Sequence, residues 1–189
     1  IYDNSDLKSS CRCWFSLLYF GHDEKKIHIL NGGLKKWIFE NKPTTKDKTE
    51  IIESNYVANE KENLVVSFDQ IKKNILSKSF NVIDARSLER FEGKVSEPRK
   101  GLRSGHIQNS FCLPFNQCIN QKTGEFKNLE ELRELFNQNE NIEKRLDQVF
   151  TCGSGVTAAV LAYAYKMVNN DYIPKIYDGS WSEYGKYPA

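Results

Sequence analysis

The chain has 189 residues, 39% of them hydrophobic and 12% aromatic, enough to bury the core of one large domain or of a domain plus a fragment. Its 27 basic and 25 acidic residues nearly cancel, to a net charge of +2, which argues against a nucleic-acid binder with its clustered basic excess. No apolar run reaches membrane-spanning length, and five scattered cysteines beside three histidines fit neither a secreted disulfide framework nor the common zinc spacings. The expectation is reduced thiols in a cytoplasmic, monomeric protein with no nucleic-acid or membrane partner.

In chain order, "WFSLLYF" (14–20) is an apolar, helix-like run, followed by "IHILNGGLKKW" (27–37). "KDKTEIIESNYVANEKEN" (46–63) is charged and polar and reads as a linker. "VVSFDQIKKNI" (65–75) predicts a short strand and then a helix, with Ile71, Ile75 and Leu76 at helical spacing. "FNVIDAR" (80–86) has the pattern of a buried strand ending in a polar loop, and "GHIQNSFCLPF" (105–115) that of a turn, a short strand and a proline. "NLEELRELFNQN" (128–139) predicts an amphipathic helix with Leu129, Leu132, Leu135 and Phe136 on one face. "QVF" (148–150) is the next strand, 156–168 the next helix, and "PKIYDG" (174–179) a last strand closed by a turn. Strands alternating with helices predict an α/β unit with a mostly parallel sheet flanked by helices.

Two segments match each other. Ile29, Leu30, Asn31, Gly32, Leu34 and Trp37 align at a fixed offset with Ile176, Tyr177, Asp178, Gly179, Trp181 and Tyr184. An apolar helix-like run precedes each, and Lys42-Pro43 and Tyr187-Pro188 follow at nearly matching places. The pattern predicts an internal duplication with a period of about 147 residues. The expected organisation is the C-terminal part of one unit over 1–45, a linker over 46–63 and a second unit over 64–189. The first segment cannot complete a parallel sheet by itself. It is expected to pack on the second unit, to pair with a further piece, or to be marginally stable.

Within the second unit, "DQVFTCGSGVTAAVLAYAYKM" (147–167) sets Cys152 between a strand and a helix, in a loop with Gly153, Ser154, Gly155, Val156 and Thr157. Free N–H groups and the positive dipole end of a helix favour sulfur in its anionic form. Glycines let the loop turn its N–H groups toward one point. The hydroxyls of Ser154 and Thr157 can add donors, and Ala158, Ala159, Ala162 and Ala164 let the helix pack close to a sheet. Cysteine is often simply buried, but two glycines and two hydroxyls around it favour function. A cysteine phosphatase would need an arginine at position 158, where Ala158 stands. A Cys–His pair would draw on His106, which reads better as a turn residue. Arg90 and Arg99 sit in loop-rich sequence after the 80–84 strand; arginine forks bind carboxylates well, but by spacing alone pairing with Glu89, Glu92 or Glu97 is the stronger reading.

"CGSGVTA" (152–158), "DARSLERF" (84–91), "SEPRKGLRSGHI" (96–107) and "YDGSW" (177–181) together resemble the two-domain 3-mercaptopyruvate sulfurtransferases of the rhodanese superfamily. The resemblance covers 64–189, and "FGH" with "LNGGLKKW" resembles the C-terminal half of that family's non-catalytic first domain. It implies that Cys152 is the nucleophile and becomes a persulfide. It implies that Arg90 and Arg99 bind the carboxylate and carbonyl side of the donor. Residues Gly153, Ser154, Gly155, Val156 and Thr157 would supply donors, with Ser154 a candidate for proton handling, while Asp84 and Arg86 brace the loop and His106 the turn beneath it. The implied reaction moves a sulfane sulfur from 3-mercaptopyruvate to cyanide or a thiol, such as a small thiol or a thioredoxin-like protein, with no metal or organic cofactor. "CGSGVTA" is the mercaptopyruvate-type loop; thiosulfate-preferring members usually carry basic residues at the Gly153 and Ser154 positions. The alternatives are a thiosulfate sulfurtransferase and a rhodanese-like binding or regulatory module without turnover. The resemblance also puts part of the active-site wall on the first domain. It sets "SSCRCW" (9–14) at that domain's inactive loop, where Cys11 and Cys13 read as structural.

Overall fold

Helix α1 (Ser9–Tyr19) opens the fold of this computed structural model, which describes every residue except Leu7, Asn139, Asn141, Pro188 and Ala189. Cys11, Trp14, Phe15 and Leu18 recur at the spacing of one helical face, and all four are buried. A short helix α2 (Gly33–Phe39) follows. The segment over 46–58 is exposed and without regular structure. The chain then returns to the end of α1, where Asn59 N–H donates to Phe20 O and Lys61 N–H to Tyr19 O.

Helix α3 (Phe68–Ser77) starts with a reciprocal cap between Ser67 and Gln70. Its buried residues are Ile71 and Asn74, whereas Leu76 is 89% exposed. Asn74 takes the inner position because its amide bonds both Phe80 N–H and Phe80 O, fixing the turn into the sheet. Strand β1 (Phe80–Asp84), helix α4 (Leu88–Phe91), strand β2 (Ser110–Cys112), helix α5 (Leu129–Asn137), strand β3 (Asp147–Thr151), helix α6 (Ala158–Val168), strand β4 (Lys175–Ile176) and helix α7 (Ser180–Tyr184) complete the order. In α5 the buried face is Leu132, Leu135 and Phe136. Leu129 is half-exposed in the first turn, before the helix meets the core. Asn139 of the predicted helix and Pro188 of the Tyr187-Pro188 match lie outside the described residues.

Among the described residues one sheet forms, four parallel strands in the order β2-β1-β3-β4. The fold is α/β with helices flanking a parallel sheet, as the alternation of patterns predicts. Central strands β1 and β3 are covered on both faces, so that even Asn81, Asp84, Gln148 and Thr151 are buried with their apolar neighbours. Ala158, Ala159, Ala162 and Ala164 are fully buried and bring α6 close to the sheet. Helix α1 packs on the other side of α6, with Trp14 edge-on to Tyr163 at 5.0 Å. The first segment therefore shares the main core: Cys11, Trp14, Phe15, Leu18 and Ile27 belong to the same buried cluster as Phe150 and Leu161. Burying each such large side chain contributes about 2 kcal/mol, so this face holds the segment on the second unit.

Candidate functional site

The carboxyl ends of β1 and β3 lie side by side, with Asp84 in register with Thr151. The next residues form the site, the usual place for one in an open parallel sheet. Cys152 follows β3 directly and is 2% exposed. Helix α6 starts only at Ala158, so Cys152 stands one loop ahead of the helix rather than at its first turn. The donor nearest the sulfur is a loop amide: Ser154 N–H points at Cys152 Sγ, 3.4 Å away.

Ser180 holds the loop from below. It is fully buried with φ of 52°, a left-handed conformation that is costly for serine and typical of over-determined sites. Its Oγ accepts from Cys152 N–H at 3.3 Å and Gly155 N–H at 3.0 Å, and donates to Tyr177 O at 2.9 Å. Gly155 N–H is thus spent on the shape of the loop instead of on the sulfur. Gly155 adopts φ of 78°, and a Cβ there would meet Arg12 Nη1 at 2.8 Å, so only glycine fits. Val156 and Thr157 close the loop half-buried, and the Thr157 side chain makes no cap for α6.

The two predicted arginines converge on the other glycine. A Cβ on Gly153 would lie 3.1 Å from Arg90 Nη2 and 3.5 Å from Arg99 Nη1. Arg90 is held by Glu97, with Nη2 to Oε2 at 2.5 Å and Nε to Oε1 at 3.2 Å. Glu97 is buried and also accepts from Arg86 Nη1 at 2.8 Å. Arg86 in turn forks onto Asp84 at 2.7 and 3.0 Å and lies over the Trp181 ring at 4.4 Å. The buried charges are therefore paired in one chain, Asp84–Arg86–Glu97–Arg90, as burial demands. Pairing with Glu97 and proximity to the loop hold together for Arg90. Arg99 is exposed, and among the described residues no carboxylate lies within ion-pair distance of it. His106 is a turn residue here: Nδ1 bonds Phe91 O at 2.8 Å and its ring stacks on Phe91.

Burial pushes the thiols of Cys11, Cys112 and Cys118 up to about 12, leaving them protonated fillers. Cys13 is exposed on α1, and all five cysteines are free. Among the described residues no group of His, Cys, Asp or Glu is arranged to hold a metal ion. A cavity of about 720 Å³ between Gly32, Lys36, Phe115 and Gly124 contains none of these residues. Its Lys36 is paired with Glu125 and its Lys35 with Asp6.

Two features escaped the sequence reading. Ser180 lay inside "YDGSW" without a role, and only its positive φ and the four hydrogen bonds of its hydroxyl reveal it. Arg12 lay between the two cysteines of "SSCRCW", yet it reaches Asp178 beside Gly155 and forms an ion pair with it. The counterpart of the Cys152 loop in the first segment is also not "SSCRCW". Asp3 O accepts from Leu34 N–H as Cys152 O does from Trp181 N–H, and Ser5 N–H meets the Asp3 side chain as Ser154 N–H meets Sγ.

The rhodanese-like domain family matches residues 67–187. The chain belongs to that family. Among its relatives, human 3-mercaptopyruvate sulfurtransferase is 37% identical over 186 residues, 97% of this chain and 61% of the human protein. The thiosulfate sulfurtransferase of Gallus gallus is 34% identical over 97% of this chain and 62% of its own length. The chain spans about three fifths of the length of these curated relatives. Of solved rhodanese structures, SseA from Escherichia coli, a 3-mercaptopyruvate sulfotransferase, superposes with a TM-score of 0.80 at 32% identity. The match covers 96% of this chain and 66% of SseA. Tum1 from Saccharomyces cerevisiae gives 0.82 at 26% identity, over 97% and 64%.

Proposed function

We propose that this chain carries the catalytic rhodanese unit of a sulfurtransferase that takes sulfur from 3-mercaptopyruvate. The observation that carries the reading is a single convergence. A cysteine with a loop N–H on its sulfur lies in a loop whose Gly153 faces two arginines. In the first step the Cys152 thiolate attacks the sulfur of the donor. The sulfur–carbon bond breaks, and its electron pair stays on carbon as the enolate of pyruvate, which then takes up a proton. Cys152 is left as a persulfide. Arg90 and Arg99 hold the donor carboxylate and the oxygen that gains charge, which is where preorganised cations lower the barrier. Arg90 acts from a fixed position because Glu97 holds its fork; Arg99 is free to fold over an incoming anion. Ser154, half-buried beside the sulfur, is the candidate for moving the proton. In the second step a thiolate or cyanide attacks the outer sulfur and Cys152 returns as thiolate. The charge needed at each stage sits on the sulfur or on the arginines, so the two steps need no further redox partner.

Gly153 is the reason to favour a carboxylate-bearing donor over thiosulfate. A side chain there would crowd the tip of Arg90, so its absence leaves both arginines open to the substrate. Thiosulfate remains the second reading, since relatives of equal similarity bear that name. A thiol acceptor, small or on a thioredoxin-like protein, and a cytoplasmic location go with the reading. Five free thiols support a reducing compartment, and no helix among the described residues is long and apolar enough to cross a membrane. For the organisation of the chain we infer a division into 1–45, 46–63 and 64–189, with 1–45 the C-terminal part of a non-catalytic rhodanese-like unit, 46–63 a linker and 64–189 the catalytic unit. The deciding experiment is sulfur transfer from 3-mercaptopyruvate and from thiosulfate, with mass analysis of Cys152. The expected result is a persulfide on Cys152, faster turnover of 3-mercaptopyruvate, and no turnover in Cys152→Ser. Turnover surviving in the serine variant sinks the mechanism, and a preference for thiosulfate sinks the donor assignment.

A further inference from the structure

Among the described residues of the first segment, Arg12 is the one whose ion pair lies against the Cys152 loop. It lies on α1 between buried Cys11 and buried Trp14, so its helix is fixed against α6. Its guanidinium forks onto Asp178, with Nη1 on Oδ1 and Nη2 3.3 Å from Oδ2. Both partners crowd Gly155, leaving no room for a Cβ. Asp178 lies two residues before Ser180, whose Oγ takes the N–H groups of Cys152 and Gly155. One path therefore runs from α1 through Arg12 to Asp178, which presses on Gly155 and is joined along the chain to Ser180 and so to the backbone of the nucleophile.

The energetics of the pair say where its effect should show. The Arg12 and Asp178 side chains are 32% and 42% exposed. A pair so accessible to water contributes little to folding. It is a poor reason for stability, but a fork onto both carboxylate oxygens fixes direction as well as distance. A loop that must present sulfur in line with a bound donor is sensitive to displacements that hardly change stability.

We propose that Arg12 is a positioning residue of the sulfur-transfer site: through Asp178 it clamps the Cys152 loop at Gly155, so that the first segment sets the geometry of a nucleophile it does not supply. The proposal rests on the sulfurtransferase reading for its effect on turnover. It also has a consequence that does not depend on that reading, because a clamped Cys152 is shielded from any small electrophile.

The test uses the full chain and the variants Arg12→Ala, Arg12→Lys, Asp178→Asn and the double variant Arg12→Ala with Asp178→Asn. Three readouts are compared: thermal melting, kcat and KM with 3-mercaptopyruvate, and the rate at which iodoacetamide alkylates Cys152 without donor, followed by peptide mass. In Arg12→Ala, kcat is expected to fall about tenfold while KM stays within about twofold. Alkylation of Cys152 is expected to rise about threefold as the loop loosens, and melting to drop by less than about 4 °C. Arg12→Lys restores part of kcat, and the double variant is no worse than the worse single one, since both break the same link. Unchanged kcat with unchanged alkylation overturns the proposal, as does a double variant in which the two losses multiply. If no donor leaves a persulfide on Cys152 but Arg12→Ala still speeds alkylation, the clamp stands and the sulfurtransferase reading fails. Normal sulfur transfer in Arg12→Ala, with alkylation unchanged, fails the clamp and leaves that reading intact.

Discussion

Two loops of this molecule share a backbone frame and carry different side chains. In the first segment Leu30 N–H donates to Ile1 O and Leu34 N–H to Asp3 O; in the second unit Tyr177 N–H donates to Phe150 O and Trp181 N–H to Cys152 O. Helices α2 and α7 begin at equivalent residues, Gly33 and Ser180, both at positive φ. The side chains framed this way are Asp3 and Cys152. Burial alone would raise the Asp3 carboxyl, but N–H groups of Ser10 and Ser5 and the charge of Lys8 outweigh it and hold the carboxyl below its ordinary value. The comparison teaches that one backbone frame can present either a carboxylate or a thiol, each with a loop N–H turned toward its side chain. What separates the two is the surroundings. Arg90 and Arg99 approach Gly153, but the Asp3 side chain is committed to its own chain at Ser5, Ser9 and Ser10.

The sharpest way to break this comparison is Cys152→Asp, which copies the first loop into the second. Turnover with 3-mercaptopyruvate should vanish while melting falls by no more than about 4 °C; a collapse of the fold would show that the two loops are not equivalent holders of an anion. Next, Arg90→Ala and Arg99→Ala remove what the first loop lacks. Each should lower kcat/KM for 3-mercaptopyruvate about a hundredfold. Melting should separate them: Arg90→Ala lowers it because Glu97 loses a partner, and Arg99→Ala leaves it nearly unchanged. Melting that falls in step with activity in both would leave a substrate role unsupported.

Ser180→Gly installs the residue found at the equivalent place in the first segment. Loss of the hydroxyl strands two buried N–H groups at a cost of about 2 kcal/mol, partly offset by about 1 kcal/mol of relieved backbone strain. Denaturant unfolding should therefore show a net loss, and a net gain would mean that the hydroxyl is dispensable. The smallest effect is expected for Asp3→Asn, which keeps a capping side chain and removes the charge. At neutral pH it should cost about 0.5 kcal/mol. Because the folded carboxyl lies below its unfolded value, the advantage of wild type is full above about pH 4 and fades as pH falls through the folded value. Equal stability of the two proteins at pH 7 would remove the first loop from the comparison.

Much of the fold was legible because the sheet strands are buried on both faces. "FNVID" reads as a buried strand and "QVF" as the strand before the cysteine loop, while the caps of α3 and α5, Ser67 with Gln70 and Asn128 with Glu131, were seen only in the structure. Helix faces were less legible: Leu76 and Leu129 fit the period yet stay outside, because what a helix end faces depends on the neighbouring chain. The cysteine loop announced itself through its glycines. Its arginines did not, since spacing alone left Arg90 beside three glutamates of which only Glu97 proved to be its partner.

By itself the sequence determined the alternation of strands and helices, the cysteine between them, and the similarity of 29–37 to 176–184. These are local properties, written in periodicity and glycine. Tertiary structure alone decided that Glu97 aligns Arg90, that Ser180 gathers the N–H groups of Cys152 and Gly155, and that Arg12 reaches Asp178 from a helix 166 positions away. Such contacts join residues distant along the chain. Nothing in either short stretch encodes the other, and only packing α1 on α6 and β1 against β3 brings them together.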